Sequence, residues 1–279
     1  MLISVIVSTY NRPEALSLIL NAFNYQTDKD FELIIADDGT KAEYQQSISQ
    51  MMKCCNYPIT HVYQEDLGFR LARIRNLAAS KAKGEYLIFL DGDCIPRKSF
   101  IANHRKLLQK GFLVAGNRIC LSEKFTNYVI EKKEPIWNYS VFKWFGAYFS
   151  RSIFRLHPLI NLPYFQKLRN LKDNWKKARG CNFALHKDEF FAVDGCDSAF
   201  EGWGYEDSDL AIRLIHNGTK IKSGRFATGV FHLYHYENDR SHQDENYKLL
   251  CDRLNSDIIK AKSGISKIDE CKNQDQNQF

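Results

Sequence analysis

Residues 85–93, EYLIFLDGD, decide how this chain is read. An apolar run of strand length, opened by Gly84 and closed by Asp91-Gly92-Asp93, predicts a buried strand over Glu85–Leu90 with carboxylates at its carboxyl end. Upstream, Leu71–Ala82 reads as a helix stopped at Gly84, and Ile59–Tyr63 as a strand. Phe31–Ala36 is another strand, ending in Asp37-Asp38-Gly39. Leu2–Val7 is a further one, followed by Thr9-Tyr10-Asn11-Arg12. Asn11 is placed to cap a helix whose first turn takes Pro13 and Glu14. Ala15, Leu16, Ile19, Leu20 and Phe23 give that helix one apolar face. Downstream, Phe112–Gly116 reads as a strand. The βαβ rhythm predicts an α/β fold, with a mostly parallel sheet flanked by helices. Ligands of such sheets bind beyond the carboxyl ends of the strands. Three polar clusters fall there: Thr9–Arg12, Asp37–Gly39 and Asp91–Asp93.

The chain has 279 residues, 44% hydrophobic and 26% charged, with a formal charge of +6. That composition is ordinary for a globular protein, and the charge suits anionic partners such as nucleotides or lipid phosphates. No long Lys/Arg run marks a nucleic-acid arm, so no nucleic-acid partner is expected. The opening MLISVIVST has no basic region before its apolar stretch. It reads as a strand rather than a leader, and the eight scattered cysteines read as reduced thiols of a cytoplasmic protein.

Two carboxylates flanking a glycine at a strand end suit a hard divalent cation, and equally suit a plain turn. Asp37-Asp38-Gly39 carries the same two readings. Neither GxGxxG nor GxxxxGK[ST] occurs. A nucleotide bound here would therefore need its phosphates met by a metal and basic side chains. Arg70, Arg73 and Arg75 are candidates, although a solvated helix face is the plainer reading of each.

Taken together, ISVIVSTYNRPEAL, ELIIADDG and LARIRNLAASKAKGEYLIFLDGDCIP resemble the nucleotide-binding half of glycosyltransferase family 2, which has the GT-A fold. The resemblance implies that Thr9, Asn11, Asp38 and Arg75 contact the nucleoside and diphosphate, with Arg12 on the same loop. It implies that Asp91 faces the ribose and that Asp93 binds Mn2+ or Mg2+. A second stretch, RGCNFALHKDEFFAVDGCDSAFEGWGYEDSDLAIRL, is similar to the C-terminal region of β-1,4-galactosyltransferases and chondroitin-type polymerases. Trp203-Gly204-Tyr205-Glu206-Asp207 matches their WGxED-type signature, with Tyr205 in place of a usual glycine. By the same likeness His235, and His232 three residues before it, are metal ligands, although the galactosyltransferases have methionine at the first position.

Inverting glycosyl transfer needs one general base within about 3 Å of the acceptor hydroxyl. Asp207 is the candidate, with Glu206 as its rival or as a holder of sugar hydroxyls. Both also fit as helix first-turn acids, the reading preferred for Asp209. Trp203 can stack on a sugar or sit in a core. Gly180 and Asn182 are placed to line the donor sugar.

The expected organisation is a nucleotide-sugar-binding half over 1–116, an acceptor-binding and catalytic half over 117–240, and a C-terminal helix and polar tail over 241–279, frayed from about Lys260. The segment from Ile136 to Lys172 holds many aromatics, interleaved basic residues and no acid. It reads as a lid, as core, or as a peripheral contact with the inner membrane. The expected partners are a nucleoside-diphosphate sugar and a glycan or lipid-linked glycan acceptor. One set of motifs favours a single activity over a polymerase. A non-catalytic nucleotide-sugar binder is the contrasting class.

Overall fold

A computed structural model describes residues 1–162, 166–236 and 239–268. The elements follow in chain order: β1 (Ile3–Thr9), α1 (Pro13–Asn24), β2 (Phe31–Asp37), α2 (Ala42–Lys53), β3 (Ile59–Tyr63), α3 (Leu71–Lys81), β4 (Tyr86–Asp91), β5 (Cys94–Pro96), α4 (Phe100–Leu107), β6 (Phe112–Ala115) and β7 (Arg118–Cys120). Then come α5 (Glu123–Lys132), α6 (Val141–Phe149), β8 (Asn182–His186), α7 (Lys187–Ala192), α8 (Glu206–His216), β9 (Lys220–Ser223), β10 (Val230–His232) and α9 (Gln243–Leu254).

Seven strands form the main sheet in the order β3-β2-β1-β4-β8-β6-β9. β1 pairs in parallel with β2 and β4, and β2 with β3. β8 runs antiparallel between β4 and β6. Both faces are covered by buried apolar side chains. One layer includes Leu16, Ile19 and Phe23 of α1; the other includes Ile74 and Ala78 of α3 and Leu210 and Leu214 of α8. Strands buried on both faces read as continuous apolar runs, which explains why β1, β2 and β4 are plain in the sequence.

Register sets up the functional end. Thr9 pairs with Asp37, and Ser8 pairs with Asp91, so the three carboxyl ends align. A Cβ on Gly92 would run into the Ser8 carbonyl oxygen, so the turn needs glycine there to let β1 and β4 end side by side. A second, three-stranded sheet has the order β5-β10-β7. In it His232 faces Cys94, directly after Asp93.

Two expectations change. Asn11 is not the helix cap: it sits at φ 48 and Arg12 holds the cap position without a side-chain bond. Its side chain instead accepts from the Lys41 amide at 2.9 Å, tying the first loop to α2. The C-terminal segment does not fray at Lys260. Ile265 and Ile268 are buried against the α3–α8 layer, and Asp194 accepts from Ser266. The tail beyond Ile268 lies outside the described residues. Asp209 lies in the first turn of α8, as expected, but away from solvent. It is fully buried between Arg213 (2.7 Å) and Arg253 (2.6 Å), and so locks α8 to α9. The described cysteines are free thiols, and no described helix is long and apolar enough to cross a membrane.

Candidate active site

The cleft at the carboxyl ends of β1, β2 and β4 gathers side chains from distant parts of the chain. Asp93 leaves β4 through the tight Gly92 turn. Its Oδ2 lies 3.1 Å from His235 Nε2, and its Oδ1 lies 3.6 Å from His232 Nε2. β10 ends on His232 and the segment after it carries His235; Leu233 N donates to the Asp93 carbonyl and fixes this stretch beside the DGD turn. Arg12 Nη1 stands 3.8 Å from Asp93 Oδ2.

Burial opposes ionisation of Asp93, but the His235 hydrogen bond and the surrounding positive groups outweigh it and hold the carboxyl below its usual range. The Asp93 bond raises His235 in turn. Burial pushes His232 down to about 4 despite Asp93, so its imidazole is neutral and keeps a lone pair at physiological pH. His235 Nδ1 meets the Tyr236 carbonyl at 2.7 Å, which points Nε2 at Asp93. Asp93, Cys94 and His232 bring one ligand atom each within 4.8 Å of one another, and His235 adds an imidazole nitrogen beside the other Asp93 oxygen. Such oxygen and imidazole donors suit a first-row divalent ion such as Mn2+. The residues fit the expected cation.

A second cluster centres on Arg75 of α3, which is 0% exposed. It is no solvated helix arginine. Its Nη2 donates to Asp91 Oδ1 and to the Gly180 carbonyl, both at 2.9 Å, and its Nη1 reaches Glu206 Oε1 at 3.4 Å. The guanidinium thus joins the end of β4, the lead-in to β8 and the start of α8. Asp207 Oδ2 accepts from the Gly180 amide at 2.5 Å, and Oδ1 accepts from the Ser208 amide at 2.6 Å. Gly180 therefore bonds to both sides of the cleft, and a Cβ there would press on Asp207 and Arg75. Burial, reinforced by Asp207, raises Glu206 to about 7 despite Arg75. Burial likewise raises Asp91.

The turn into α8 is strained. Gly202, Gly204 and Tyr205 all have positive φ, with Tyr205 at 71°. A glycine would take that backbone without cost. Tyr205 is held by its ring, which packs on Tyr247 of α9 at 5.5 Å.

The remaining predicted residues divide. Asp38 is buried, accepting from Gln64 and from the Arg70 amide, and Asp37 anchors the turn through the Thr40 amide at 2.8 Å. Thr9 is buried beside them, its carbonyl accepting from the Asp38 amide. Arg73 bonds Gln64 Oε1 at 2.7 Å. Trp203 is half-buried, with the Arg240 guanidinium 4.8 Å from its ring centre. Asn182 does not line a donor pocket. It is fully buried and its amide donates to the Thr228 and Asn117 carbonyls, bracing β8. Two residues beside the metal-type cluster carry no signal in the sequence. Arg118 Nη1 lies 3.3 Å from His232 Nε2, and Cys94 Sγ lies 3.4 Å from Asp93 Oδ1. Both sit on three-residue strands too short to show a pattern.

Residues 164–236 match the profile described as the N-terminal domain of galactosyltransferase. Chondroitin synthase of Escherichia coli is 27% identical over 79% of this chain and 33% of its own length. Validoxylamine A glucosyltransferase of Streptomyces hygroscopicus is 27% identical over 91% and 60%. The chain thus spans a third to three fifths of these curated relatives. Among solved structures, GalNAc-T7 with UDP, GalNAc and Mn2+ superposes with a TM-score of 0.61 at 17% identity, covering 90% of this chain and 47% of that one. The mannosyltransferase PcManGT of Pyrobaculum calidifontis, with GDP-Man and Mn2+, gives 0.60 at 16%, covering 94% and 65%. At such identities the superpositions establish the shared GT-A fold. The profile of glycosyl transferase family 2 matches residues 4–189, most of the chain, and the protein belongs to that family.

Proposed function

We propose that the protein transfers a sugar, with inversion, from a UDP-sugar or other nucleoside-diphosphate sugar to a hydroxyl of a glycan acceptor. A bacterial surface polysaccharide or lipooligosaccharide is the proposed context. The observation that carries this reading is the meeting of two unlike clusters in one cleft. Asp93, His232 and His235 form a mixed oxygen and nitrogen donor set, and Arg75 ties Asp91 to the Glu206–Asp207 turn beside it. The nucleotide-sugar and Mn2+ ligands of the structural neighbours support the same donor class.

A divalent ion bound at Asp93, His232 and His235 would neutralise charge on the diphosphate leaving group. Arg12 stands ready on the same side for a phosphate oxygen. Asp207 is the general base: Oδ1 accepts from the Ser208 amide and hydroxyl, while Oδ2 accepts from the Gly180 amide and keeps a lone pair for the acceptor hydroxyl. The amide bonds fix the carboxylate's orientation. Glu206, held by Arg75, positions sugar hydroxyls. Gly180 contributes by setting where Asp207 points.

The test is sugar-nucleotide turnover with and without an acceptor mixture, read as UDP release. Asp207→Asn should lower kcat by about 10²–10⁴-fold while UDP binding persists. Full transfer by that variant would remove Asp207 as the base. Binding without turnover by wild type, across all donors, would make the protein a nucleotide-sugar binder.

A further inference from the structure

α6 has two unlike faces. Trp144 and Ala147 are buried, and Trp144 stacks on Phe231 with ring centres 4.4 Å apart. Phe231 immediately precedes His232, so the helix is pinned to the strand that feeds the metal-type cluster. At about 100° per residue, Val141, Phe142, Phe145 and Phe149 fall within a single arc on another side. All are exposed, Phe142 by 86% and Phe149 by 79%. Phe154, just beyond the helix, is 61% exposed. Isolated apolar residues at a surface are ordinary, but contiguous large ones mark an interaction site.

Charge identifies the partner. Residues 136–172 hold six Lys/Arg and no acid, so they carry the chain's entire formal excess; the rest is balanced at 33 basic and 33 acidic residues. Lys143 is held by Glu134 at 3.8 Å and by the Tyr139 ring. Arg151 and Arg155 are exposed just past the C-terminus of α6. An aromatic wedge with a cationic rim matches a bilayer surface whose lipid phosphates are negative. Nine residues make a helix about 14 Å long, which can lie in the interface but cannot span it.

We propose that the outer face of α6 docks on an anionic phospholipid bilayer, inserting Val141, Phe142, Phe145 and Phe149, with Arg151 and Arg155 on lipid phosphates. Docking this way would hold the cleft about one helix diameter, ~10 Å, from the membrane. If the proposed transferase activity holds, a lipid-anchored acceptor would then be delivered beside Asp93.

The experiment is co-sedimentation of the full chain with vesicles, either phosphatidylcholine alone or with one-third phosphatidylglycerol. It reads binding without any catalysis, so its outcome is separate from that of the transferase assay. Wild type should pellet with the anionic vesicles. Phe142→Ser/Phe149→Ser and Arg151→Glu/Arg155→Glu should each weaken partitioning by about tenfold or more, and added salt should mimic the arginine pair. Exposed side chains can change without loss of fold, and an unchanged Tm checks this; should one pair fail to fold, the other still decides. Wild type remaining in the supernatant, or a folded variant pelleting like wild type, would overturn the proposal. So would a wild-type dimer that Phe142→Ser/Phe149→Ser turns into a monomer without vesicle binding, since the occupant would then be a second copy.

Discussion

Asp93 and Glu206 are acidic, well-buried side chains of one cleft, yet their proton affinities are displaced in opposite directions. Burial raises both. Asp93 faces His235, His232 and Arg12, and ends below its usual range. Glu206 faces Asp207 and Asp91 with Arg75 as counterweight, and ends near 7. The balance of neighbours, rather than depth, therefore separates the two ends of the site. One end suits a metal and a diphosphate. The other suits neutral hydroxyls and the acceptance of a proton.

Removing Arg75 should disturb this contrast most. Arg75→Met leaves Asp91, Glu206 and the Gly180 carbonyl without their shared donor. Losing one side of a buried ion pair costs about 3–5 kcal/mol. Thermal or denaturant unfolding reads this directly. The loss should shrink in acid, where protonated carboxyls no longer need the cation. A variant as stable as wild type at pH 8 would show that the acidic end balances itself.

Glu206→Gln sharpens the contrast with a smaller effect of opposite sign. The folded protein raises this carboxyl from 4.5 to about 7, so the native state keeps a proton that the unfolded chain has released. Stability therefore falls as pH rises through that window, and the glutamine variant escapes the fall. It should match wild type near pH 4 and exceed it by about 1–3 kcal/mol at pH 8. A pH-independent difference in Tm would contradict the raised value.

Much of the acidic scaffold was legible because β1, β2 and β4 are apolar runs ending in polar tripeptides. The register that aligns Thr9, Asp37 and Asp91 follows from parallel pairing of neighbouring strands. The basic contribution was harder to see. The charge of Arg75 suggests a wet helix face, whereas its neighbours one turn away, Leu71, Ala72, Ala78 and Ala79, are apolar and the fold buries it among carboxylates. α2 buries only Ile48 completely and leaves little periodic trace. Asn11 carries the residue type of a cap, but its positive φ turns the side chain toward α2. The small sheet that brings His232 to Asp93 uses three-residue strands, which leave no pattern of their own. Only the family likeness pointed to those imidazoles, and only tertiary structure brings Arg118 beside them.

We propose that Asp93, His232 and His235 together hold one divalent ion against a pyrophosphate. Mn2+ binding in the presence of UDP, followed by the paramagnetic resonance signal of free Mn2+, tests it most directly. Wild type and Asp207→Asn should bind alike. His235→Ala and Asp93→Ala should each lose at least the roughly 10–100-fold in affinity that removal of even an outer-shell partner costs. Equal Mn2+ affinity in wild type and His235→Ala would contradict the claim.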